Sequence, residues 1–191
     1  MVAILALAWA AAALAASGGN GQLGKLMALL GKRKHGEVTY VEEDYLAILD
    51  RPLKSSGVLI YDAPDHLEKK TLTPKKESLV LEHGELTVRR GDRTYHLDLR
   101  DYPQVAPYVD AIRATMAGDL GALEKVFRVR LEGSLEHWRL RLVPRDAQVA
   151  RQLRRIRIAG AEANLESVEI DKDNGDRSVM TMGTPEGAAS Q

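Results

Sequence analysis

The sequence predicts a mainly β protein of the α+β class, built on one wide antiparallel sheet of about ten or eleven strands. Three observations carry that expectation. From His35 to Leu99, apolar and polar residues alternate with period two in short runs, the pattern of strands with one buried and one wet face. Turn chemistry separates the runs at Pro64-Asp65, Thr73-Pro74, His83-Gly84 and Gly91-Asp92, as a meander of hairpins requires. One mid-chain segment, "DYPQVAPYVDAIRATMAGD", switches to helical spacing before the alternation resumes. A sheet this wide curls, and an apolar helix interrupting it is well placed to cover the concave side.

Taken in order, the first element is a helix over Gln22–Leu30, where Leu23, Leu26, Met27 and Leu30 form an apolar stripe and Gly31 ends it. The strands of the first half are "GEVTYVEEDYLAIL", "GVLIYD", "HLEKKTLT", the two arms of "ESLVLEHGELTVRR", and "RTYHLDL". In the helical insert Asp101 offers a cap, Val105, Val109, Ile112 and Met116 share a face, and Gly118 stops the helix. A short turn at "LGALEK" follows. Then "VFRVRLEG" and "WRLRLVP" form a hairpin, setting Phe127, Val129 and Leu131 against Trp138, Leu140 and Leu142. After a brief helix in "RDAQVARQL", the strands "RRIRIAG", "NLESVEI" and "RSVMTM" complete the sheet, the last two joined by an Asp173-Asn174-Gly175 turn.

The N-terminus reads differently. "MVAILALAWAAAALAAS" is an unbroken apolar run ending in small residues at Ala13-Leu14-Ala15, which predicts a cleaved export leader over residues 1–16. It is short for a bilayer span, which takes ~20 residues. The expected organisation is therefore a leader at 1–16, one domain over 17–183 and an unstructured tail at 184–191. Just after the leader, Gly19-x-Gly21-x-x-Gly24 imitates a phosphate loop. The residue after Lys25 is Leu26 rather than Ser or Thr, and no strand precedes the glycines, so a flexible stretch leading into the helix is expected instead.

Charge and composition exclude some functions. The 27 basic residues balance the 27 acidic ones, which offers no global attraction to nucleic acid. Between Phe127 and Ile158, however, nine arginines face three acidic residues, predicting one basic face. Cysteine is absent, which rules out a lipid-modified N-terminal thiol.

The order and spacing of these elements resemble the LolA family of periplasmic lipoprotein carriers over residues 22–183. The anchors are the first helix, the pair Arg51-Pro52, the strand reaching Pro64, the hairpin around Gly84, the helical insert, "WRLRLVPRD", and the closing "LESVEIDKDNGDRSVMTM". The resemblance implies an unclosed antiparallel β-barrel with a helical lid over a hydrophobic cavity. It also implies a monomer that receives lipoprotein acyl chains from an inner-membrane exporter and delivers them to an outer-membrane acceptor. By the same resemblance Arg51 is the lid latch, since a guanidinium can satisfy several carbonyls at once. Leu59, Tyr61 and Val80 match inward cavity positions, and Val105, Val109 and Ile112 belong to the lid. The sequence is poor in aromatics, with a single Phe, so an aliphatic lining suits a different lipid, and the resemblance to relatives associated with lipid or polyene synthesis implies a lipid-like or polyene-type cargo beside lipoproteins.

A catalytic role finds little in the residues. No Gly-x-Ser-x-Gly elbow occurs, and the five histidines (His35, His66, His83, His96 and His137) are scattered, without the spacing of a metal site. The expectation is a non-enzymatic protein with no cofactor and no metal, located in the periplasm. The alternative from another class is an interaction module whose Arg-rich face meets an acidic protein or anionic headgroups without carrying cargo.

Overall fold

The computed structural model describes residues 14–103 and 106–183. Its centre is one antiparallel sheet of eleven strands. The first half comprises β1 (His35–Tyr45), β2 (Leu53–Asp62), β3 (His66–Thr73), β4 (Glu77–Glu82), β5 (Glu85–Arg90) and β6 (Arg93–Asp98). The second comprises β7 (Phe127–Gly133), β8 (Trp138–Pro144), β9 (Leu153–Ala161), β10 (Asn164–Lys172) and β11 (Arg177–Met182). The spatial order is β6-β5-β4-β3-β2-β1-β11-β10-β9-β8-β7. Each half is a meander, and the chain's first and last strands join them through pairs such as Tyr40↔Met182 and Tyr45↔Arg177. Strands β6 and β7 are the two edges and do not pair, so the sheet is open and not a barrel.

Local chemistry accounts for the hairpins. At the β4–β5 turn both His83 (φ 51°) and Gly84 (φ 80°) have positive φ, the two-residue geometry whose twist matches flanking strands. Alternation then sorts the faces. In β8, Trp138, Leu140 and Leu142 are buried while Arg139 and Arg141 are exposed. Arginines of β7, β8 and β9 fall on the outer face, where Arg130, Arg141 and Arg157 stand abreast across three strands. Arg157 is paired with Glu169 and Asp171 of β10.

Four helices complete the fold: α1 (Leu14–Leu30), α2 (Ala106–Ala117), α3 (Leu120–Val126) and α4 (Ala147–Ala150), with a 3-10 turn at Leu99–Asp101. Helix α1 begins well before Gln22, so the glycine-rich stretch Ser17–Gly21, expected to be flexible, is helical. Its glycines each cost ~1 kcal/mol of helix propensity relative to Ala, and burial of Leu23, Leu26, Met27 and Leu30 offsets this downstream. Most of the leader expected at 1–16 lies outside the described residues.

The core is asymmetric. It combines the α1 stripe with Ala111 and Ala114 of α2, Leu123 of α3, Tyr40 of β1, and the inward residues of β7–β11. Trp138 is held on both sides: its indole N–H donates to Glu162 O at 2.9 Å, and a Cβ at Gly160 would stand 2.5 Å from the ring. Helices α1 and α2 meet end to end at Gly118. Its φ is +68°, and a Cβ there would lie 2.2 Å from Met27 O, so only glycine permits both the turn and the approach. Among the described residues no helix is long and apolar enough to cross a membrane.

Candidate functional site

Where the two halves join, the inner face is not filled. A cavity of about 380 Å³ lies between the sheet and the ends of α1 and α2, within the range of ligand sites. Strand register builds its floor. Val38 is opposite Leu59, Gly36 is opposite Tyr61, and Tyr61 is opposite Leu67 of β3, so these side chains share the inner face. A Cβ at Gly36 would meet only the Arg33 side chain, at 3.4 Å. Leu30 of α1 and Ile112 and Met116 of α2 form the roof, and Leu165 and Met182 close the side towards β10 and β11.

The rim is polar. Arg33, in the α1–β1 connection, donates to Asn164 Oδ1 at 2.6 Å, spanning the mouth to the β9–β10 turn, with Glu37 and Glu166 nearby. Further along the inner face the lining becomes charged but satisfied. Glu42 pairs with Lys69 and accepts from Ser178 Oγ at 2.9 Å, while the Lys69 ammonium sits 5.2 Å from the centre of the Tyr40 ring. Burial, with the Glu42 charge second, pushes Asp44 above the usual carboxylate range. Burial likewise raises the Tyr61 and Tyr108 hydroxyls, keeping both protonated at neutral pH. The site can hold an apolar chain with a polar end at its rim. Among the described residues no cluster of three or more His, Cys, Asp or Glu could hold a metal ion.

Of the residues singled out from the sequence, Leu59, Tyr61 and Ile112 meet in the cavity wall. Val109 is half-buried on α2 but does not line it. Val105 lies outside the described residues. Val80 is corrected: the register sets it opposite Glu68 and Thr87, in line with Ile60. Leu79 and Leu81 take the inner face of β4 instead, Leu81 being 3% exposed. Because "SLVLE" is apolar at three successive positions, alternation alone does not distinguish the two faces of β4.

Arg51 stands exposed in the connection between β1 and β2. Among the described residues it makes no hydrogen bond or ion pair. This connection adjoins the Asp44↔Leu53 end of the β1–β2 ladder, whereas the cavity adjoins Gly36↔Tyr61, eight positions away, or about 27 Å at strand rise. The latch contact with the helices is not formed here. Sequence reasoning missed Met182 and the Arg33–Asn164 contact, which depend on pairings over more than a hundred residues. Leu30 was within reach, as the last member of the α1 stripe.

These features define a class: a single open sheet with helices over an apolar, partly empty seam. The sequence matches the family described as outer membrane lipoprotein carrier protein LolA-like over residues 15–191, and the chain belongs to that family. No curated protein matches it. Among solved structures, it is similar to a LolA superfamily protein from Nitrosomonas europaea, with 11% identity, coverage of 91% of this chain and 97% of that one, and a TM-score of 0.45. A DUF1329 family protein from Desulfovibrio piger gives 10% identity, 87% and 92% coverage, and a TM-score of 0.48. The MucA/MucB complex from Pseudomonas aeruginosa gives 11% identity, 85% and 57% coverage, and a TM-score of 0.45.

Proposed function

We propose that this protein is a non-catalytic carrier that takes an acyl chain of a lipoprotein, or of a related lipid, into the cavity beneath α1 and α2. It works in the periplasm after loss of a leader at residues 1–16, receives its cargo from an inner-membrane exporter and passes it to an outer-membrane acceptor. The observation that carries the reading is the unfilled seam, where Leu59, Ile112, Met116 and Met182 present apolar surface to a space of about 380 Å³. Burying a chain there gains ~0.8 kcal/mol per methylene. That is on the order of ten kcal/mol for a fatty chain, a gain that the ordering of chain and lid reduces. A specific observation favours a docking role for the outer face as well. Like charges directly opposite one another destabilise a sheet, yet Arg130 stands opposite Arg141, while Arg157 beyond them already has Glu169 and Asp171 as partners. An acidic partner would relieve that repulsion.

The test is direct. An organic extract of the purified protein, examined by mass spectrometry, is expected to contain an acylated lipid absent from controls. An extract without one, together with failure of the protein to take up a fatty-acyl fluorescent probe, would overturn the carrier reading.

A further inference from the structure

Among the described residues one buried hydroxyl goes without a partner, and it belongs to Tyr61, a residue of the cavity wall. Tyr61 is 1% exposed, and its hydroxyl is buried with no hydrogen-bond partner among the described residues. The fold satisfies comparable groups elsewhere. The equally buried Tyr40 shares a hydrogen bond with Thr71 Oγ1 at 2.8 Å, and Thr115 donates to Ala111 O at 2.7 Å. A buried polar group left unmet is costly, and native proteins leave few of them. Phenylalanine at position 61 would fill the same space without that cost.

The surroundings narrow what could meet the hydroxyl. Leu59, Leu67, Ile112 and Met116, its companions in the wall, accept no hydrogen bond of consequence. The charged groups acting on it are Arg113 of α2 and Asp65 of the β2–β3 turn, and burial outweighs both and keeps the phenol neutral. Tyr61 is thus a donor set among side chains that cannot receive its proton, and none of the acceptors that also line the cavity, Glu37, Asn164 and Glu166, is bonded to it. A saturated hydrocarbon or a polyene would leave it unmet. A carbonyl oxygen would satisfy it.

We infer that the Tyr61 hydroxyl is the polar anchor of the cavity, donating a hydrogen bond to the carbonyl of an ester- or amide-linked acyl chain. The site therefore selects acylated cargo over bare hydrocarbon. This deepens the carrier reading and rests on it. The experiment compares the wild-type chain with Tyr61→Phe, using displacement of a bound apolar fluorophore by methyl dodecanoate and by an alkane of equal chain length. The wild type is expected to prefer the ester by about tenfold. Tyr61→Phe should lose that preference, bind the alkane unchanged, and melt no lower than wild type when empty. Infrared spectra with a carbonyl-labelled ester give a second readout: the bound stretch lies lower in wild type than in Tyr61→Phe. Equal binding of ester and alkane by wild type, or an ester preference that survives Tyr61→Phe, overturns the anchor while leaving the carrier reading standing. Displacement by neither ligand overturns both.

Discussion

Strands β7–β11 and strands β2–β6 are two meanders of one sheet, yet they are filled very differently. Helices α1, α2 and α3 lie on the inner face of the first set, where Trp138, Leu140, Leu142, Ile156, Ile158 and Val168 are all buried. In the second set Leu67, Leu79, Leu86, Val88 and Leu97 remain half-buried, Tyr95 is 45% exposed, and Tyr61 and Leu81 are the large apolar side chains to reach full burial. The difference follows from where the helices are anchored. Gly118 and Gly31 lock α1 to α2, and the α1 stripe commits both to the β7–β11 side. One half of the sheet is therefore a core in the ordinary sense, and the other is a wall. The cavity sits at the boundary, where coverage runs out.

This contrast predicts unequal costs for equivalent damage. Trp138→Ala should destabilise the fold by about 3–5 kcal/mol, read from chemical denaturation. Leu86→Ala, on the same face of the other half, should cost only about 1 kcal/mol, because less of its surface leaves water on folding. Equal losses would show that the two halves are equally packed. Ile112→Asp comes next in size. It sets a carboxylate in the cavity roof and should weaken acyl-probe binding by about a hundredfold, with the circular-dichroism spectrum of the sheet preserved. Retained binding would move the ligand away from the seam.

The smallest effect belongs to Asp98, at the end of β6. The Arg100 guanidinium, helped by the Arg100 backbone N–H, lowers its carboxyl from 3.8 to about 2. A carboxyl whose pKa falls on folding adds stability above its unfolded value, and that contribution is lost as pH drops through the folded one. Because Asp98 is exposed, solvent screening keeps the contribution slight. The expected outcome is a shallow decline in melting temperature between pH 3.8 and about 2 that Asp98→Asn removes.

What could be read from the sequence was whatever a few neighbouring residues decide. His83-Gly84 specified its hairpin because the turn needs two positive φ values in succession, and β8 declared its faces because Arg and Leu alternate without exception. Helix α2 was legible from the spacing of Val109, Ile112 and Met116, although the positions it buries are Pro107, Ala111, Ala114 and Thr115. Parity failed at β4, where apolar residues occupy both faces and only pairing with β3 distinguishes Val80 from Leu81. Residue types could not show that Arg51 and the cavity lie at opposite ends of the β1–β2 hairpin, since that depends on which end of the sheet the helices cover. Leu59, Tyr61 and Ile112, singled out from the sequence, lie in the lining of the cavity, and Met182 and Asn164 lie there without having been singled out. Nothing near either residue in the chain announces that β11 pairs with β1, or that the β9–β10 turn faces Arg33.

The junction of β1 with β11 has a consequence for the order in which the molecule is made. A ribosome releases the N-terminal meander long before residues 177–182 exist, so Val38 and Leu59 wait as one lip of a mouth whose other lip has not been synthesised. Until the final strand docks, there is no enclosed pocket for grease to enter. An unfinished chain therefore exposes its half-built wall to water until Met182 arrives, the kind of transient apolar surface that large sheets carry while they fold.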